Sequence, residues 1–287
     1  MAILQNKIDF VVLFSVTNAN PNGDPLDGNR PRTNIDGLGE MSDVSIKRKI
    51  RNRLQDMGQR IFVQSKERAG DGYASLSDRA AGVMKDYKST DDEYAEKACA
   101  EWTDVRAFGQ VFAFKAKKDK EKGEQGVSVP VRGPVSVHQV TSISPVNVNS
   151  MQITKSVNSE TSEGKGADTM GMKHMVTFGL YKLKGSINVQ LAEKTGFTQE
   201  DALLIKESLR TLFLNDTSSA RPDGSMEILS VYWFEHNCKD GQYSAKKVHE
   251  CVQAKLKDGV EYPKSAEDYD ITVNPPEGLH CDEINGI

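Results

Sequence analysis

Apolar positions follow two rhythms along this chain. Ile8–Val16 (IDFVVLFSV) is a continuous β-branched and aromatic run, which predicts a buried strand. It stops in Asn18-Ala19-Asn20-Pro21-Asn22-Gly23-Asp24-Pro25, a dense set of turn formers, and a Gly- and Asn-rich loop continues to Met41. From Ser42 the rhythm changes. Ile46, Ile50, Leu54 and Met57 recur at helical steps, so Ser42–Met57 predicts a helix with Ser42 as N-cap and Asp43 at the positive end of its dipole. A second helix is predicted over Thr198–Leu214, with Thr198 and Asp201 at capping-box spacing and Phe197 placed as a staple. Strand character returns at Val127–Ile143, Met175–Leu191 and Ile228–Phe234, and Ser244–Leu256 reads as a further helix.

Between these elements lie two polar insertions. Residues 60–104 are polar and helical in places, with Gly70, Gly72 and Gly82 as breaks. Ser144–Gly171 is rich in Ser, Thr, Asn and Gly and sits between apolar strands, a position where long polar segments usually carry function. The apolar run Val105–Phe114 passes into a charged stretch, Lys115–Gly126, that reads as a solvated loop. The order strand, helix, strand, insertion, strand, helix, strand is β-α-β-β-α-β. The expected fold is therefore α+β, a ferredoxin-like or RRM-like core with large insertions.

Composition narrows the function classes. The 287 residues are 27% charged and 37% hydrophobic, as in an ordinary globular protein. No apolar run approaches the roughly 20 residues that span a bilayer, and the N-terminus lacks the basic and apolar regions of a secretory signal. Cys99, Cys238, Cys251 and Cys281 form no C-x-x-C pair, and the five histidines show no H-x-x-x-H spacing. Free thiols in a reducing cytoplasm, no metal and no cofactor are the expectation. The net charge of −4 is unevenly spread. Ser42–Arg53 holds five basic residues against one acid, whereas Lys239 to the end holds six basic and ten acidic. A basic surface for nucleic acid thus stays open despite the total.

The candidate chemistry follows from this. Lys47, Arg48, Lys49, Arg51 and Arg53 stand almost unopposed within their helix, and begin at an N-terminal turn whose Ser42 and Ser45 suit phosphate. Asn18, Asn20 and Asn22 resemble the start of an EF-hand loop, but the twelfth position is Asn29, where calcium needs a bidentate Glu. A structured turn at a strand end, with amides facing RNA, fits them better. Arg106-Ala107-Phe108-Gly109-Gln110-Val111 matches part of the RNP1 strand, which makes Arg106 and Phe108 candidate RNA contacts. Asp24, Asp27 and Asp36 have no catalytic partner motif, and Gly164-Lys165-Gly166 fails as a P-loop because no helix pattern follows. No catalytic residue is assigned. His138 and His174 are the only histidines placed to serve a ribonuclease.

Taken together, Asn18–Pro25, Met41–Arg51, Asp104–Gly109, Gly133-Pro134-Val135 and Phe178-Gly179-Leu180-Tyr181 make the chain resemble the backbone subunit of type I-C CRISPR Cascade, the "seven" family of Cas proteins within the repeat-associated, RRM-like superfamily. The resemblance implies a hand-shaped protein. Residues 1–59, 131–144 and 173–287 would form the palm, 60–130 the fingers and 145–172 a thumb hairpin. It implies a non-catalytic subunit that stacks with neighbouring copies along guide crRNA, joins other Cascade subunits, and presents the guide for pairing with target DNA. It places Ser42, Lys47 and Arg51 on RNA phosphates. In the thumb, Met151, Met170 and Met172 would act as apolar wedges, with Lys155 and Lys165 meeting phosphate. A crRNA-processing endoribonuclease and a free-standing RRM-like regulator are the rival readings.

Overall fold

The computed structural model describes residues 2–84, 92–114, 127–154 and 170–287. The chain opens with strand β1 (Ile8–Ala19), short strands β2 (Gly23–Asp24) and β3 (Arg30–Pro31), edge strand β4 (Leu38–Met41) and helix α1 (Asp43–Asp56). The first insertion contributes α2 (Leu76–Val83), α3 (Asp92–Glu101), α4 (Thr103–Phe108), β5 (Gly109–Phe114) and β6 (Val127–Arg132). Strands β7 (Val135–Val137), β8 (Val140–Pro145), β9 (Val148–Thr154) and the long β10 (Met170–Ile187) follow. Helices α5 (Val189–Thr195) and α6 (Gln199–Arg210), strand β11 (Met226–Glu235), helix α7 (Ala245–Glu250) and strands β12 (Val252–Leu256), β13 (Tyr269–Val273) and β14 (His280–Asn285) complete it.

The main sheet runs β14-β11-β1-β10-β8-β4, and its neighbours are antiparallel. Its central part, β11-β1-β10-β8, is the ferredoxin-like order expected of a β-α-β-β-α-β chain. β1 is apolar without alternation because both its faces are covered. Phe10, Val12, Phe14 and Val16 meet α1, α5 and α6 on one side. Val11 and Leu13 meet Val248, Val252, Tyr269 and Leu279 on the other. The sheet face that an RRM offers to bases is therefore occupied here by the C-terminal segment.

Both main helices form where their patterns placed them. Ser42 Oγ accepts from Ser45 N at 3.2 Å, and Ile46, Ile50 and Leu54 are fully buried. Thr198 and Asp201 close a capping box on α6, which ends at Arg210 rather than at Leu214. The first insertion has a core of its own in which Phe62 lies 4.7 Å from Trp102 and 5.1 Å from Phe112.

Three local expectations are corrected. Arg106 and Phe108 lie on helix α4, not on a strand, because Gly109 (φ 78°) stops the helix and starts β5 where Gly133 closes in. A Cβ on Gly109 would sit 2.3 Å from Val131 O. Ser244–Leu256 is helical only to Glu250. From Val252 it pairs with Tyr269–Val273, a partner no local pattern reveals. The strand from Met175 ends at Ile187, where Asn188 caps α5.

Candidate nucleic-acid interface

Loop 18–42 joins the end of β1 to the start of α1. Asn18 is exposed and left-handed (φ 50°), between exposed Thr17 and buried Ala19. Asn20 is buried, and its amide donates to Asn29 O at 2.6 Å. Asn22 Oδ1 accepts from Ser42 N at 2.9 Å and from Ser42 Oγ at 3.2 Å. Ser42 thus faces the loop as well as its own helix, while Ser45 follows in the first turn.

The basic helix is less free than its local charge count implied. Lys47 pairs with Asp43 at 3.0 Å. Arg51 Nε donates to Asp104 at 2.9 Å, and its guanidinium lies 5.2 Å over the Phe108 ring. Arg53 pairs with Asp56, and Lys49 is buried against Asp216. Burial lowers the Lys49 ammonium's pKa and the Asp216 charge opposes that shift. Asp43 and Asp56 belong to α1 itself, but Asp104 and Asp216 come from α4 and from the turn after α6, which is why the helix alone gave no sign of them. Arg48 has no carboxylate partner among the described residues; burial, then the neighbouring Arg51 charge, lowers its pKa.

Arg106 is likewise engaged, donating to both Asp201 oxygens at 2.8 Å. Phe108 packs against the helix-side core. Neither lies on an open sheet face, so the RNP1 likeness does not describe this segment.

The hairpin β9/β10 carries exposed apolar side chains on both faces. Ser150 pairs with His174, Gln152 with Met172 and Thr154 with Met170, on the face that continues Val148 and Val176. Met151 and Ile153 lie on the opposite face with Lys173 and Gly171. Met151, Met170 and Met172 are 44%, 64% and 54% exposed. Lys155 and Lys165 lie outside the described residues.

His138 and His174 do not form one site. His138 N donates to Lys184 O, ten residues along β10 from His174, or about 33 Å at strand rise. His138 stands beside His249, with ring centroids 5.5 Å apart, whereas His174 bonds to Ser150. Among the described residues no group of three or more His, Cys, Asp or Glu side chains is arranged to hold a metal ion.

Residues 6–274 match the family model described as CRISPR-associated protein Cas7. The chain belongs to the Cas7 family. The curated "CRISPR-associated protein Cas7" of Haloferax volcanii is 29% identical over 227 residues, which cover 75% of this chain and 66% of that protein. Two solved chains are similar in shape at 17% identity each. One, from a "CRISPR RNA-guided surveillance complex, pre-nicking", has a TM-score of 0.48 and covers 89% of this chain and 84% of that one. The other, from a "CRISPR RNA-guided surveillance complex", has a TM-score of 0.46 and covers 89% and 78%.

The Cas7 match takes in loop 18–42, α1 and the β9/β10 hairpin, and ends before β14. Two clusters of this Cas7 chain escaped sequence reasoning. One is Asp9, fully buried, which accepts from Lys7 at 2.6 Å and from His236 at 2.9 Å. The other links Arg30, Ser150 and His174. Both join positions more than a hundred residues apart, for which a single sequence holds no signal.

Proposed function

We propose that this Cas7 protein is a non-catalytic, RNA-binding backbone subunit of a type I-C Cascade. Several copies stack head to tail along a guide crRNA, hold its sugar-phosphate chain, and leave bases open to pair with target DNA. Other Cascade subunits close the ends of the stack. The reading rests on the Cas7 match over residues 6–274; the type I-C assignment rests on the sequence resemblance.

Residues 1–59, 131–144 and 173–287 are the palm in this reading, 60–130 the fingers and 145–172 the thumb. Two physical features support it. The start of α1, loop 18–42 and the β9/β10 hairpin are tied together by hydrogen bonds, so backbone-binding groups have a fixed frame. The hairpin's exposed methionines are flexible thioether chains suited to packing on a displaced base. Sequence-independent binding through phosphates also fits a protein that leaves sequence reading to base pairing. The separation of His138 from His174 weighs against the nuclease alternative.

Light scattering of the purified protein with and without guide RNA tests the reading. Expected are particles that grow with guide length and intact RNA in magnesium, manganese or chelator. A constant monomer on RNA, or cleavage lost in H138A or H174A, overturns it.

A further inference from the structure

Most cations near this interface already have a carboxylate. Arg32 pairs with Asp24, Lys47 with Asp43, Arg51 with Asp104, and Arg53 with Asp56. Recruiting any of them to a phosphate means loosening an existing ion pair. Arg30 differs. Among the described residues it has no carboxylate within ion-pair distance, and its one side-chain hydrogen bond runs from Nη1 to Ser150 Oγ at 3.2 Å.

We propose that Arg30 and His174, bridged by Ser150, form a phosphodiester-binding anchor at the root of the β9/β10 hairpin, taking one backbone phosphate of single-stranded RNA. The proposal rests on the RNA-binding reading above and gives it a contact outside helix α1.

The argument begins with the hydroxyl. Ser150 and His174 face each other across the hairpin, with Ser150 Oγ 2.8 Å from His174 Nδ1. Ser150 Oγ already accepts from Arg30. All three groups are satisfied when the hydroxyl donates a hydrogen bond to Nδ1, which places the imidazole proton on Nε2. Nε2–H is then a donor with no protein partner among the described residues, beside a guanidinium with donors to spare. A cation and a neutral N–H on one hydroxyl are matched by an acceptor with several oxygens and a negative charge, which is a phosphate.

The anchor is held from behind. Asn29 N and Arg30 N bond to Asp24 O and Asp27 O at 2.8 Å each, and Asn20 clamps Asn29 O. Strand β3 lies against β10. Asn22, in the same loop, holds Ser42 at the start of α1. One rigid loop therefore sets the distance between the helix start and the hairpin root. Beyond His174 the same hairpin face carries Met172 and Met170, so a nucleotide anchored at its root has apolar surface alongside.

The test is anisotropy of a labelled polyuridine strand with the full chain, titrated over a range of salt. R30Q should weaken binding about tenfold, the worth of one charge-assisted hydrogen bond. It should also flatten the log-log salt slope by about 0.7, as for one lost contact to a single strand. H174A should also weaken binding, because the donor beside the guanidinium is lost. R30K should keep the slope. Arg30 and His174 are partly exposed, so the variants should melt with the wild type. Wild-type affinity and slope in R30Q, with the wild type itself binding, overturns the anchor alone. Failure of the wild type to bind polyuridine overturns the RNA-binding reading, and the anchor with it.

Discussion

Arg51 Nε donates to Asp104 Oδ2 at 2.9 Å, joining the basic helix α1 to the first insertion. Asp104 is fully buried and also accepts from Phe62 N at 2.7 Å and Val63 N at 3.1 Å. Arg51 is thus a structural cation whatever it does for RNA. R51A should lower the unfolding free energy by about 1–3 kcal/mol, because a buried carboxylate loses its charged donor while two backbone donors remain. Urea titration measures this directly. A midpoint equal to wild type removes the pair from the account of how the insertion is attached.

Lys47 is the cleaner probe of the helix surface. Its partner Asp43 is one turn away and half-exposed, so K47A should cost no more than about 0.5 kcal/mol. If α1 tracks the RNA backbone, K47A combined with R48A should weaken polyuridine binding and flatten its salt slope by about 1.4, two contacts at 0.7 each. An unchanged slope takes α1 out of the interface.

Gly39 and Tyr181 make a second coupled pair. A Cβ at Gly39 would lie 2.1 Å from Tyr181 Oη, and that hydroxyl is buried without a hydrogen-bond partner. G39A should destabilise by about 1–3 kcal/mol through overpacking. Y181F should be neutral or stabilising by up to about 1 kcal/mol, since it removes an unpaired polar atom. The double variant should recover part of the G39A loss. Strict additivity in a double-mutant cycle would show that the two do not meet.

Acid should loosen the C-terminal layer through His249. Its Nε2–H donates to Gly185 O at 2.9 Å, and burial holds its pKa below the usual histidine value despite that bond and Asp9. The unfolded chain therefore takes up a proton first, near pH 6.5, and stability falls as pH drops from there toward the lower folded value. H249Q, which keeps an N–H donor without a titrating ring, should flatten the pH dependence of the urea midpoint below about pH 6.5. Asp9 acts lower on the scale. Burial raises its pKa, but hydrogen bonds from His236, Lys7 and Ser186 outweigh that and bring it below the usual carboxylate range. Its contribution is present above the ordinary Asp value and is lost only at stronger acid. Equal pH profiles for H249Q and wild type would remove His249 from the acid response.

The elements of this protein that arise from near neighbours were legible in its sequence. The apolar period of three to four placed α1 and α6, Thr198 and Asp201 announced a capping box, and the unbroken run in β1 foretold a buried strand. Their order pointed to the ferredoxin-like sheet, because the insertions leave the sequence of strands and helices in the core unchanged. What the residues do with their charges was decided only in the tertiary structure. Helix α1 carries five cations against a single acid over Ser42–Arg53, yet Asp104 and Asp216 reach it from α4 and the turn after α6. Arg106 sits in an RNP1-like string, yet it lies on α4, which ends only at Gly109, and Asp201 binds it. Arg30 and His174 share no local pattern, yet the folded hairpin brings both to Ser150. Helix and strand signals repeat within a few residues and survive in a single sequence. Ion pairs and hydrogen-bond partners are chosen by whichever distant segment the fold brings near, and that choice has no period to read.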